Sequence, residues 1–338
     1  MSAPPWLDDV EPDAIDAAVG RIRQAVAAGE RVVVASHVSP DGDTLGGALA
    51  MHLGLQRLGV RSTPTVGETP LKVPAALAEL PGVPDLLPPA ALPPPAEVDL
   101  LITVDVASRE RLGRVTTYLD AGVACLVIDH HASADGFGDL EVIAPRAAAA
   151  VQVVDEILRR LDVPLDRDLA TCLYAGLVTD TGRFGHTNTD GSVMQLAGRL
   201  IDAGAPHAEM ISRLFDTRSL GELQLLAVAL ARLAFVPDVA LVHTHVTHRE
   251  LEEQGLGLEA LEAVIDVVRS ADLAEVAFVA KPAPDGTWRG SLRSRGRIDV
   301  GAIATQLGGG GHAMAAGFST TLDPADVVAE VVARLREV

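Results

Sequence analysis

Apolar and polar positions along this chain follow two periods, and the switches between them predict its elements. Arg31–Ser36 is a short, nearly unbroken apolar run, the pattern of a buried strand. It follows a helical stretch over 13–28 that ends near Gly29. It precedes another over 44–58, where Leu45, Ala48, Leu49, Leu55 and Leu58 share a face before Gly59. Residues 60–66 read as the next strand, so strand, helix and strand suggest a parallel βαβ unit. Leu100–Val104 and Val123–Ile128 are two further buried strands. Residues 67–95, rich in proline, read as a surface excursion with one possible helical turn at 75–80.

After these strands the period is helical. Val151, Val154, Ile157, Leu158 and Leu161 make one stripe, and residues 169–178 form a second apolar helix. Residues 190–232 read as helix in pieces, broken near Gly204-Ala205-Pro206. From Val239 the pattern returns to shorter strands at 239–247, 275–281 and 287–293, with a hairpin turn at 282–286. A last helix begins at Asp323 as N-cap with Pro324 behind it, and carries Val327, Val328, Val331, Val332 and Leu335 on one face. The expected class is α/β. A parallel-sheet domain is expected over 1–203, a helical connector over 204–236 and a smaller α/β domain over 237–338.

Composition narrows the function. A chain of 338 residues is about the size of two domains. Aromatic residues make up only 3%, which argues against stacking platforms for long single strands. The formal net charge of −19 argues against tracking along nucleic-acid polymers, which are held by phosphate neutralisation. A short phosphorylated substrate remains compatible. Cys125 and Cys172 lie in apolar stretches without metal-ligand spacing and read as buried free thiols of a reducing cytoplasm. Residues 1–9 lack the pattern of a secretory signal, and no apolar run is long enough to span a bilayer, so a cytoplasmic location is expected.

The chemistry sits just past the strand ends. His37, Asp41 and Asp43 follow the first strand within seven residues, Asp105 follows the third, and Asp129-His130-His131 follows the fourth. In open α/β sheets that edge is where sites form. Oxygen and imidazole donors without thiolate favour Mn²⁺ or Mg²⁺ over structural zinc. Asp43 is equally placed to cap the helix starting at Thr44, and Asp105 alone could be an ordinary loop carboxylate. Asp180 lies at a helix C-terminus, where a carboxylate is disfavoured unless something positive faces it.

In the second half, Arg289, Arg293, Arg295 and Arg297 form a basic patch. Strand periodicity places Arg293 and Arg295 on one face. Gly308–Gly311 could expose backbone N–H groups to an anion beside His312, or could serve as a hinge. His243, His245 and His248 have no carboxylate or cysteine at useful spacing and read as structural.

Together these residues resemble the DHH/DHHA1 phosphoesterase superfamily. Asp129-His130-His131 is its signature triplet, and Gly308–His312 with Ala315-Ala316-Gly317 resembles the motif of its accessory domain. The resemblance covers nearly the whole chain and is nearest to the nanoRNase (oligoribonuclease)/pAp phosphatase subgroup.

It implies a DHH domain, its parallel sheet covered by helices on both faces, and a DHHA1 substrate-binding domain. It implies two Mn²⁺, with Mg²⁺ or Co²⁺ as substitutes. His37, Asp41 and Asp105 would hold one, and Asp43, Asp105, His130 and Asp180 the other. Asp129 would orient His130. Asp105, Asp129 and His131 would be catalytic. Arg109, His131, Arg293, Arg295, Gly309, Gly310, Gly311 and His312 would contact substrate.

The implied activity is hydrolysis of pApA-type dinucleotides to mononucleotides, and of pAp to AMP, by two-metal hydroxide attack. The implied assembly is a homodimer, with no long nucleic acid or membrane as partner. Thr44 and Gly47 depart from residues usual in the subgroup, without touching a ligand position. Alternatives are a cyclic dinucleotide phosphodiesterase, a manganese pyrophosphatase-like hydrolase and a non-catalytic nucleotide sensor. A pyrophosphatase would carry a lysine-rich substrate motif, whereas only Lys281 lies in that region.

Overall fold

A computed structural model describes residues 4–338. The chain divides into two compact units after Thr217. The division falls inside the 204–236 stretch expected as a connector, and that stretch is shared between the units. Met210, Leu214 and Phe215 join the first unit's core, whereas Leu225 and Ala229 join a core of the second.

In the first unit the elements run α1 (Ala14–Ala28), β1 (Arg31–Ser36), α2 (Gly42–Arg57), β2 (Arg61–Val66), β3 (Leu100–Val104), α3 (Thr116–Asp120), β4 (Ala124–Asp129) and β5 (Leu140–Ile143). Then come α4 (Ala150–Arg160), α5 (Arg167–Asp180), α6 (Gly191–Asp202), α7 (His207–Ile211) and a π-helical turn, Ser212–Asp216. The strands form a parallel sheet in the order β2-β1-β3-β4-β5. Their alternation divides the core: Val32 and Val34 face the layer of α1, α2, α4 and α5, while Val33 and Ala35 face Leu112, Val115 and Tyr118. The strand β5, four residues long, is too short to be found by pattern alone. The 67–95 excursion holds short 3₁₀ turns, one of them at Ala75–Leu77, and a single parallel bridge from Leu87 to Thr65.

Register decides what the sheet presents at its edge. Ala35 pairs with Thr103, and Val104 with Ile128. The residues that follow, His37, Asp105 and Asp129, therefore come out side by side on three adjacent strands. Above them α2 lies unusually close to α5. A Cβ on Gly46 would stand 2.4 Å from the Cys172 carbonyl oxygen, and one on Gly176 would stand 2.7 Å from Asp43 Oδ1. Small residues at this crossing bring Asp43 and Asp180 to the same place.

The second unit runs α8 (Leu220–Ala231), β6 (Ala234–Val236), β7 (Leu241–His245), α9 (His248–Glu253), α10 (Glu262–Val268), β8 (Val276–Pro282), β9 (Trp288–Ser294), α11 (Val300–Gln306), β10 (Gly310–His312), β11 (Ala315–Thr320) and α12 (Pro324–Leu335). Its six-stranded sheet has the order β10-β11-β9-β8-β7-β6 and is antiparallel except between β7 and β8. The sheet packs α11 and α12 on one face through Phe278, Leu292 and Val331, and α8 and α10 on the other through Val242 and Val279. Asp323 takes the N-cap position of α12, but its side chain makes no capping hydrogen bond.

Candidate metal centre

Asp105 is the middle of the site. It follows β3 with φ +59°, a left-handed conformation that costs energy outside glycine. Its N–H donates to the Ile128 carbonyl at 2.8 Å, which ties the strained turn to β4. The side chain is 3% exposed and lies between histidines. Oδ2 is 3.7 Å from His37 Nε2, while Oδ1 is 3.5 Å from His130 Nε2 and 3.4 Å from His131 Nδ1. Burial raises its pKa, with the Asp41 charge adding to it, against the opposing pull of His130 and His131.

On one side stand His37 and Asp41. His37 Nδ1 lies 2.8 Å from the Val38 carbonyl, which can only accept, so the proton sits on Nδ1 and Nε2 keeps its lone pair. That Nε2 is 3.7 Å from Asp41 Oδ2. Asp41, and not Asp43, caps α2: its Oδ1 accepts from the N–H groups of Asp43 and Thr44, both at 3.1 Å. Burial pushes the Asp41 carboxyl up, but His37 and these two N–H donors outweigh it and the pKa falls. Thr44, a departure noted in the sequence, has a structural task. Its hydroxyl donates to the Val104 carbonyl at 2.8 Å and accepts from His37 N–H at 3.1 Å, so it joins the ends of β1 and β3.

On the other side stand Asp43, His130 and Asp180. Asp43 is fully buried and caps a different helix, accepting from Ala150 N–H at 2.5 Å and Val151 N–H at 3.0 Å at the start of α4. His130 Nδ1 is 3.1 Å from the Ala147 carbonyl. Its Nε2 stands 3.5 Å from Asp180 Oδ2 and 3.8 Å from Asp43 Oδ2.

Burial raises Asp43 well above the usual carboxylate range, aided by the charges of Asp180 and Asp105. Burial also pushes Asp180 up to about 7, with Asp41 and Asp105 adding to it. Burial opposes charge on His130, but Asp105, Asp43 and Asp180 outweigh it and drive the ring up to about 10. The cluster is thus short of positive charge.

Asp129 was expected to orient His130, and the structure corrects this. The Asp129 carboxylate holds the His131 ring, with Oδ1 2.8 Å from His131 Nδ1. It also accepts from the backbone N–H groups of His130 and His131 at 2.7 and 3.2 Å. This contact raises the His131 pKa and leaves His131 Nε2 free of that carboxylate.

Three groups of donor atoms lie within 4.8 Å of one another: His37, Asp41 and Asp105; Asp43, His130 and Asp180; and Asp105, Asp129, His130 and His131. Asp105 Oδ1, Asp129 Oδ2 and His130 Nε2 are buried without hydrogen-bond partners. Unpartnered buried polar atoms are costly. Carboxylate crowding, lone pairs aimed inward and an all-oxygen-and-nitrogen donor set fit hard divalent cations. Among the described residues, His243, His245 and His248 join no such group.

The remaining candidates separate. Arg109 is exposed and ion-paired with Asp120. It is Arg111, not singled out in the sequence, whose guanidinium lies 3.0 Å from His37 Nε2. In the second unit Arg293 lies on β9, but Arg295 lies beyond the strand end. Its guanidinium reaches the Ala271 carbonyl at 2.8 Å and the Asp272 carbonyl at 3.3 Å, so the two do not stand as a pair on one strand face.

The glycine segment is exposed, and two of its glycines approach neighbouring backbone too closely for a side chain. Gly308 and Gly309 N–H groups donate into the end of α11. A Cβ on Gly309 would meet the Gly317 carbonyl oxygen at 2.1 Å, and Gly311 has φ +143°. Gly310 and exposed His312 pair with β11.

Residues 31–177 match the DHH family N-terminal domain, and residues 241–338 match the DHHA1 domain. The chain is 31% identical over 286 residues to the bifunctional oligoribonuclease and PAP phosphatase NrnA of Thermus thermophilus, covering 85% of this chain and 83% of that protein. Among solved structures, an exopolyphosphatase-related protein from Bacteroides fragilis shares the fold with a TM-score of 0.88 at 21% identity, covering 97% of each chain. The exonuclease RecJ, solved with manganese bound, shares it with a TM-score of 0.55 at 19% identity, covering 96% of this chain and 95% of that one. No helix among the described residues is long and apolar enough to cross a membrane.

Proposed function

This chain belongs to the DHH/DHHA1 phosphoesterases, and from that premise we propose that it hydrolyses short oligoribonucleotides of the pApA type to mononucleotides, and pAp to AMP. The observation that carries the reading is Asp105, whose two oxygens face His37 on one side and His130 on the other. One buried carboxylate shared by two clusters is what a paired-cation phosphoesterase needs. The Thermus thermophilus relative directs the choice of substrate.

His37, Asp41 and Asp105 would hold one Mn²⁺, and Asp43, Asp105, His130 and Asp180 the other. Bound there, the cations would stabilise charge on the phosphoryl oxygens and lower the pKa of a water nucleophile.

The chain's own residues supply the rest. Carbonyl contacts fix His37 and His130 so that each turns Nε2 inward. Asp129 holds His131 by Nδ1 and favours its protonated form, leaving Nε2–H to stabilise charge on a phosphoryl or leaving oxygen. Arg293, Gly309, Gly310, Gly311 and His312 are proposed as further contacts to substrate phosphate. The net charge of −19 offers long RNA little hold and favours short ligands.

Mn²⁺-dependent turnover on pApA, a longer RNA, pAp, a cyclic dinucleotide and pyrophosphate tests the proposal. Fast mononucleotide release from pApA, with little action on the longer RNA, is expected. Activity confined to pyrophosphate or to the cyclic dinucleotide, or turnover of nothing despite bound metal, would overturn it.

A further inference from the structure

Arg111 occupies a position that the metal reading does not use. It lies in the 3₁₀ segment Arg109–Val115 that follows β3. Its backbone carbonyl accepts from Val38 N–H at 2.9 Å, which binds this segment to the residue after His37. Its guanidinium is 3.0 Å from His37 Nε2. With the His37 proton on Nδ1, facing the Val38 carbonyl, Nε2 can only accept, and arginine can only donate. An imidazole nitrogen has a single lone pair. The Arg111 hydrogen bond and a bond from His37 Nε2 to a cation therefore exclude each other.

Resting on the metal assignment above, we propose that Arg111 is a displaceable positioning residue. It holds His37 with Nε2 aimed at Asp105 and gives way when a cation takes that lone pair. Its freed guanidinium then binds a phosphate oxygen of the short nucleotide substrate. Three features support this. Arg111 is only half-buried, so the side chain has room to move. Its anchor to Val38 is made by the backbone and survives that motion. An arginine is permanently charged, and its planar fork suits phosphate. One residue would thereby couple cation entry to substrate capture, since the phosphate contact becomes available only when the imidazole has changed partner.

The test is calorimetric titration of Mn²⁺ into chelator-stripped protein, for wild type, Arg111→Ala and Arg111→Gln. Removing the competitor should tighten Mn²⁺ binding by about tenfold or more in Arg111→Ala, the scale of a hydrogen bond to a charged group. Arg111→Gln, which keeps a donor without charge, should fall between. KM for pApA should rise by about tenfold in Arg111→Ala while kcat changes little.

A purely structural support for His37 would move affinity the other way. Unchanged or weaker Mn²⁺ binding in both variants therefore overturns the proposal. Tighter Mn²⁺ with unaltered KM overturns its phosphate half. Wild-type protein that binds no Mn²⁺ would instead overturn the metal reading, and Asp105→Ala, expected to lose Mn²⁺, keeps the two failures apart.

Discussion

The crossing of α2 and α5 gives a quantitative test of how the fold builds the site. In Gly46→Ala the new Cβ would sit 2.4 Å from the Cys172 carbonyl oxygen and 3.3 Å from the Gly176 nitrogen. Both are backbone atoms of a neighbouring helix and cannot rotate aside. Ordinary contact begins at 3.4 Å, so the helices must part by about 1 Å.

Overpacking of this kind costs about 1–3 kcal/mol, and alanine returns about 0.5–1 kcal/mol through helix propensity. A 2.4 Å approach to backbone places the cost in the upper part of its range, about 2–3 kcal/mol, and the net loss of about 1–2.5 kcal/mol should lower Tm by about 2–10 °C. Because α2 carries Asp43 and α5 ends at Asp180, the same 1 Å shift opens the cluster around His130. A misplacement of that size can cost about a hundredfold in turnover. Gly20→Ala is the control: it lies in α1 with nothing within 4 Å of its Cβ, and it should gain about 0.5–1 kcal/mol. Thermal unfolding, Mn²⁺ titration and turnover on pApA measure all three effects. A Gly46→Ala protein that melts at or above the wild-type temperature with normal turnover would refute the argument.

Three further outcomes are expected. Asp105→Ala should lose Mn²⁺ from both groups and fall to background turnover; full Mn²⁺-dependent activity would contradict the shared-carboxylate reading. Arg293→Ala should raise KM by about tenfold to a hundredfold with metal content intact, and lost metal occupancy would argue against a substrate role. In the second unit, Arg232 holds the Glu250 carboxyl down to about 2 from 4.5 through its hydrogen bond. The folded pKa is depressed, so the pair stabilises fully above pH 4.5 and its contribution fades as pH falls towards 2. Urea unfolding between those values should show this slope in wild type and a flatter one in Arg232→Ala, and equal slopes would exclude the pair.

Local pattern carried much of the architecture. The apolar runs at 31–36 and 100–104 are strands because continuous Val, Leu and Ile suit a sheet buried on both faces, and the helical stripe from Val151 to Leu161 is equally local. The same runs placed His37, Asp105 and Asp129 at strand ends. Elements without such contrast escaped: β5 is a four-residue strand, β6, β10 and β11 are short or built of glycine, alanine and serine, and α9 and α10 are barely two turns.

By itself, then, the sequence determined the α/β class, the strand ends that bear the chemistry and the family resemblance, since each rests on neighbours in the chain. Which atoms meet was decided by tertiary structure. Asp43 was open to capping its own helix, yet it caps α4, 107 residues away. Asp129 holds the ring of His131 rather than that of His130, and Arg295 leaves the strand for the carbonyls of 271 and 272. Arg111 finds His37 across 74 residues. No periodicity reports such partners. They follow from strand order, from register and from the close approach of α2 and α5, which exist only once the sheet has assembled.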